Sequence, residues 1–259
     1  MKYHIDTIPV WDAVKLDQEC FLCSLQRKIE CTEAERFLGA SVMEPDVRIQ
    51  VNEKGFCAAH HKMLFGMNNR LGHALMLESH IAETKRRLSP VFRDIAKRSD
   101  EYAECSLGAK LNGKQKSTRN SLLDMISRID NVGKSCILCD SIHENMERYY
   151  RTFFYLYEND PAFTDAFRKI KGVCLEHLPL ILSLAVEYLP EKKAAVFIRD
   201  LLDKETASID RIGNDVSWFI KKFDYRYEKE DWKNSRDAVE RAVNELRTWC
   251  VGKEPYDEN

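Results

Sequence analysis

Eight residues of the chain have the types and spacing needed to hold a soft cation. "CFLC" at 20–23 is followed by "GFCAAH" at 55–60, and "CILC" at 136–139 by "GVCLEH" at 172–177. Each pattern carries three thiols and one imidazole, and Cys3His is one of the standard donor sets for tetrahedral Zn2+. Two residues three apart project to one side of a helical first turn, so each short motif can aim two donors at one point. Three thiolates and a neutral imidazole leave a bound dication with a net charge of about −1. Unpaired N–H groups at helix starts stabilise such negative sulfur. Any single cysteine would read better as a small buried apolar residue. The paired spacing, present twice, favours metal. It matches none of the usual ferredoxin runs, and thioredoxin-like chemistry would not call for the distant Cys57 and His60.

The two patterns align. Cys20 and Cys23 map onto Cys136 and Cys139 at an offset of 116, and Gly55, Cys57 and His60 onto Gly172, Cys174 and His177 at an offset of 117. Pro45 meets Pro161 at the first offset, so the sequence reads as an internal duplication with a single insertion. The alignment also filters candidates. Cys31, Cys105 and Cys250 lack a matching cysteine, His73 and His80 fall opposite Pro190 and Phe197, and His61 falls opposite Leu178. The expected ligands are therefore Cys20, Cys23, Cys57 and His60 for one Zn2+ and Cys136, Cys139, Cys174 and His177 for a second, each set within its own copy. Gly55 and Gly172, two residues before each Cys-x-x-His, are expected to turn the chain sharply into the following segment.

Helices must position these donors. Glycine (10) and proline (7) are scarce, and both Cys-x-x-Cys motifs run into helical patterns rather than a tight knuckle turn. The expected fold is all-α: two tandem duplicated helical modules, each tied by its own Cys3His site, with a helical C-terminal extension. The boundaries read as a first module at 1–104, a linker at 105–117, a second module at 118–212 and the extension at 213–259. In the first module Leu77, Ile81, Leu88, Phe92 and Ile95 recur at helical intervals, with Pro90 placed to kink that helix. A longer stripe runs through Ala195, Ile198, Leu202, Glu205, Ile209, Ile212, Val216, Phe219 and Phe223, in which only Glu205 is not apolar. A last amphipathic helix turns Ala238, Val239, Ala242, Val243 and Leu246 inward, with Ser235 as its cap. The aromatic run at 149–163 reads as core packing.

The bulk composition narrows the function classes. Hydrophobic residues make up 44% and charged residues 32%, values of a globular chain rather than a disordered one. With 40 basic and 42 acidic residues the formal charge is −2, which gives no global pull to nucleic acid or to an anionic membrane. No stretch reads as a signal peptide or a membrane span, so the expected compartment is the cytoplasm, where nine cysteines would serve metal or thiol chemistry rather than a disulfide framework. The twin "CxxC…GxCxxH" modules, followed by "WFIKKFDYRYEKEDW" at 218–232 with its "KFDYR" segment from Lys222 to Arg226, resemble an uncharacterised bacterial family known as a domain of unknown function. The resemblance covers most of the chain. It implies a cytoplasmic, helical, metal-binding protein and no particular activity. The leading expectation is a binding or scaffolding protein with structural zinc and a protein partner. A thiol-based redox or metal sensor is the alternative, and an enzyme using Asp224, Tyr225, Arg226 and Glu230 ranks last. There is no phosphate loop, dinucleotide fingerprint or nucleophile elbow.

Overall fold

The computed structural model describes residues 6–103, 114–130 and 132–256. Among them it is built from α-helices and two short 3-10 turns, without a strand. The helices are α1 (Thr7–Lys15), α2 (Phe21–Leu38), α3 (Pro45–Lys54), α4 (Ala58–Gly66), α5 (Arg70–Ala103), α6 (Lys114–Asp130), α7 (Ile137–Asn159), α8 (Pro161–Phe167), α9 (Leu178–Tyr188), α10 (Glu191–Lys221) and α11 (Ala238–Arg247). The 3-10 turns are Ala40–Met43 and Tyr225–Tyr227. Of the expected linker at 105–117, Cys105 and the other residues up to 113 lie outside the described residues, and from Lys114 the chain is helical.

Local chemistry sets several helix starts. Pro45 and Pro161 open α3 and α8, where a missing N–H costs nothing. Asp160 caps α8 by accepting the N–H groups of Ala162 and Phe163 at 3.0 and 3.4 Å. Asn69 caps α5 through the Gly72 N–H at 2.8 Å. α5 continues through Pro90.

The chain forms two compact units that do not follow the expected modules. One comprises residues 31–141, and the other joins residues 1–30 to 142–259. In the first, α3, α4, α6 and the Ala40–Met43 turn pack against α5, over a core that includes Phe37, Val42, Val51, Phe56, Leu64 and Met76. The inward residues of α5 are Gly72, His73 and Met76, whereas Ile81 and Phe92 of the expected stripe are exposed.

The second unit is organised by aromatic rings. Phe153, Phe163, Phe167 and Phe197 are almost completely buried and meet edge to face or stacked at 5.1–6.1 Å. Each such pair adds about 0.5–1.5 kcal/mol beyond its buried area. Phe21, the residue after Cys20, stacks on Phe153 at 5.3 Å, so the Cys-x-x-Cys motif is anchored directly to this core. α9 and α11 both pack on α10. The buried face of α10 is Ala194, Phe197, Leu201, Glu205, Ser208 and Ile212, one residue out of register with most of the expected stripe. Leu202, Ile209 and Phe223 are exposed instead. On α11 only Ala238 and Glu245 are buried, and Ser235 donates to the Trp232 carbonyl at 2.7 Å instead of capping.

Candidate metal centres

All eight expected ligands gather into two clusters, but in exchanged partnership. Cys20 and Cys23 meet Cys174 and His177, while Cys57 and His60 meet Cys136 and Cys139. Within each cluster the donor atoms lie within 4.8 Å of one another. The first cluster lies wholly in the unit of 1–30 and 142–259, the second wholly in the unit of 31–141. The expectation that each copy of the pattern closes its own site is therefore corrected. The division falls within α2, which spans about 27 Å at 1.5 Å per residue: Cys20 and Cys23 belong to one unit, and Cys57 and His60 to the other.

Three of the four half-sites begin a helix: Cys20, Cys57 and Cys136 immediately precede α2, α4 and α7. The fourth differs. His177, rather than Cys174, stands at the start of α9, because a helix begun at Leu175 would leave Pro179 in its interior. Cys174 reaches the site through a turn in which its carbonyl accepts the N–H groups of His177 and Leu178 at 2.9 and 3.0 Å. The two glycines also act differently. Gly55 ends α3 at φ +65°, a left-handed conformation, and a Cβ there would lie 2.6 Å from His80 Nε2. Gly172 has no such backbone requirement; its Cβ would meet Glu205 Oε2 at 2.9 Å.

The cluster of Cys20, Cys23, Cys174 and His177, hereafter the buried cluster, has all four ligands inside the protein. His177 Nδ1 stands 3.2 Å from Cys174 Sγ and 3.6 Å from the sulfurs of both Cys20 and Cys23, and Cys23 and Cys174 are 3.6 Å apart. Its surroundings are specific. The Gln26 side-chain oxygen lies 3.0 Å from His177 Nε2, which places the ring proton there and leaves Nδ1 as the donor. Cys23 Sγ accepts the Trp249 N–H at 3.4 Å and contacts the Thr248 hydroxyl at 3.2 Å. Thr248 holds φ +106°, an uncommon backbone conformation for a β-branched residue, immediately after α11. The following segment is tied down by Ser24 Oγ donating to the Pro255 carbonyl at 2.7 Å and by the Arg27–Glu254 ion pair. These C-terminal groups belong to the site, although the sequence placed them in a separate extension and no spacing signal marked them.

The cluster of Cys57, His60, Cys136 and Cys139, hereafter the open cluster, has His60 and Cys136 buried, Cys57 half-buried and Cys139 exposed. His60 Nδ1 lies 3.3, 3.2 and 3.4 Å from the sulfurs of Cys57, Cys136 and Cys139, and Cys57 and Cys139 are 3.9 Å apart. The two helix starts are also joined by contacts that need no metal. Ile137 N–H donates to the Gly55 carbonyl at 3.0 Å, Ser135 Oγ to the Lys54 carbonyl at 2.8 Å, and Lys54 pairs with Asp140 at 2.5 Å. His61, next to the ligand, stays outside the cluster and meets His73 Nε2 through its Nδ1 at 3.1 Å. Cys31, Cys250, His73 and His80 join neither cluster.

The donor atoms fit a tetrahedral metal. Bonds of about 2.3 Å to sulfur and 2.0–2.1 Å to nitrogen place S···S edges near 3.8 Å and S···N edges near 3.5 Å, against 3.6 Å for Cys23–Cys174, 3.9 Å for Cys57–Cys139 and 3.2–3.6 Å for the S···N contacts, with all donors of a cluster within 4.8 Å. Thiol electrostatics agree with this fit. Hydrogen bonds from Cys174 and Cys20 hold the Cys23 thiol down at about 3, while burial and the neighbouring sulfurs push Cys20 well above its ordinary value. At Cys136 burial opposes ionisation, but the His60 hydrogen bond and nearby N–H groups outweigh it and hold the thiol at about 6. Burial and then Cys136 push Cys139 up to about 12. Three sulfurs this close do not all ionise unaided, and a dication is the charge that lets them.

Behind the buried cluster stand two buried carboxyls. Glu205, the one polar member of the expected stripe, accepts the Val173 N–H at 3.1 Å, and Glu245 offers its backbone carbonyl to the Leu175 N–H at 2.8 Å. Burial, then the adjacent Glu205, pushes the Glu245 carboxyl up to about 9. In the "KFDYR" segment the Lys222 ammonium is buried and donates to the carbonyls of Tyr227 and Glu228 at 2.7 and 2.8 Å and to that of Glu230. Asp224 and Arg226 pair with each other at 2.6 Å, and Tyr225 is exposed. These contacts organise a turn and do not converge on a cleft.

A model of a family described as of unknown function, DUF6062, matches residues 1–253 of the chain. No curated protein and no solved structure matches it.

Proposed function

The chain belongs to the DUF6062 family, and we propose that it is a cytoplasmic zinc protein that binds two Zn2+ ions and acts as a binding or scaffolding protein. The carrying observation is that each cluster offers a complete Cys3His set. Four protein donors leave no open position for water or substrate, which is the character of a structural zinc site rather than a hydrolytic one. The zinc ions would fix the starts of α2 and α9 on one hand and of α4 and α7 on the other. Among the described residues no helix is long and apolar enough to cross a membrane. The exposed Ile220, Phe223 and Tyr225 beyond the core of α10 favour a protein partner over nucleic acid. The same reading takes the two motif copies as products of a duplication whose halves have exchanged metal partners.

Metal analysis of protein purified without a metal-affinity column tests this reading. Two zinc ions per chain are expected, with intense visible bands of tetrahedral thiolate coordination after cobalt substitution. Chelation should lower the melting temperature, because metal binding and folding are linked. A metal-free chain that is fully helical and thermally unchanged would overturn it.

A further inference from the structure

We propose that the open cluster is an oxidation site, at which hydroperoxide-class two-electron oxidants expel the metal while the buried cluster keeps its own. The proposal rests on the zinc reading above. Cys139 is the exposed ligand of the eight, and the half-buried Cys57 has its sulfur 3.9 Å away. A disulfide requires about 2.05 Å between sulfurs, so the pair must close by roughly 2 Å, a distance within reach of side-chain rotation. In the buried cluster every sulfur is shielded, and Cys23 is further held by Thr248 and Trp249.

The chemistry balances. The Cys139 thiolate attacks one peroxide oxygen; the O–O bond breaks, and hydroxide leaves and is protonated to water. The Cys57 thiolate then attacks the sulfenic sulfur of Cys139. An S–S bond forms, and a second hydroxide leaves and is protonated. Two thiolates have lost two electrons in total, and one peroxide has become two waters. Only Cys136 and His60 remain as donors, too few to retain zinc. The unit of 31–141 has a reason to survive this loss. The Ile137–Gly55, Ser135–Lys54 and Lys54–Asp140 contacts join the same two helix starts without metal, so reduction and fresh zinc can rebuild the site.

The test uses the full-length, zinc-loaded chain, counted for metal before oxidation. Hydrogen peroxide is then added stoichiometrically, with a chromophoric zinc indicator and mass mapping after differential alkylation. The expected result is loss of one zinc of two, a Cys57–Cys139 disulfide, unmodified Cys20, Cys23 and Cys174, and recovery of two zincs after reductant and zinc. Retention of both zincs, simultaneous loss of both, or earlier modification of Cys20, Cys23 or Cys174 would overturn the proposal. A Cys136–Cys139 bond in place of Cys57–Cys139 would overturn the resolving role given to Cys57. A chain that carries no zinc before peroxide defeats the zinc reading itself, which separates the two failures.

Discussion

The two clusters use the same donor types, three thiols and one imidazole, and differ in almost everything around them. The buried cluster draws its environment from distant parts of the chain: Gln26 on its imidazole, and Thr248 and Trp249 on one sulfur. The open cluster leans on local backbone contacts and leaves Cys139 in solvent. A donor set therefore specifies which ion is held, whereas the outer contacts decide how firmly it is held and what can reach it.

The sharpest way to break this comparison is to remove ligands in pairs. A Cys23→Ala/Cys174→Ala chain should lose one zinc, because both residues serve the buried cluster, whereas Cys23→Ala/Cys57→Ala should lose both. The uncrossed arrangement predicts the reverse, two zincs lost from Cys23→Ala/Cys174→Ala and one from Cys23→Ala/Cys57→Ala. Metal counts on the two double variants thus decide the pairing. A smaller effect is expected from Gln26→Leu. Losing the His177 Nε2 partner should weaken one zinc by about 10–100-fold in competition with a chelator and leave the other unchanged. Equal weakening of both would show that Gln26 acts through general stability.

The smallest effect concerns Glu245. Its folded value is raised to about 9 by burial and Glu205, above its ordinary value when unfolded. The folded state therefore holds a proton that the unfolded state has already released, and this contribution to stability declines as pH rises through that window. In Glu245→Gln the melting temperature should fall less steeply over this range than in the parent. An identical slope would mean that the carboxyl is not raised.

The eight residues that gather into the two clusters could be read from the sequence because donor chemistry is fixed by residue type and a three-residue spacing survives any tertiary arrangement. Their pairing could not, since it depends on which helix starts the tertiary fold brings together. The stripe on α10 shows the same limit at smaller scale. Apolar residues occupy adjacent lines along that helix, and periodicity alone does not say that Phe197 and Leu201, rather than Ile198 and Leu202, face the rings. Glu205 stood out as the polar exception, and its reason is a hydrogen bond to the Val173 N–H. Thr248 and Trp249 gave no sign, because a backbone N–H aimed at sulfur has no signature in residue type.

Exchanged pairing makes the two sites nest like brackets. The outer contact from Cys20 to His177 spans 157 residues, and inside it the contact from Cys57 to Cys139 spans 82. A chain made from its N-terminus presents Cys20, Cys23, Cys57 and His60 together long before their proper partners exist, so the wrong foursome is the first on offer. The inner bracket becomes available to close once residue 139 has emerged, and closing it shortens the free loop that the outer bracket must still span. On the proposed two-zinc reading, loading has a built-in order, from the inside outward, and the buried site is the last to be sealed.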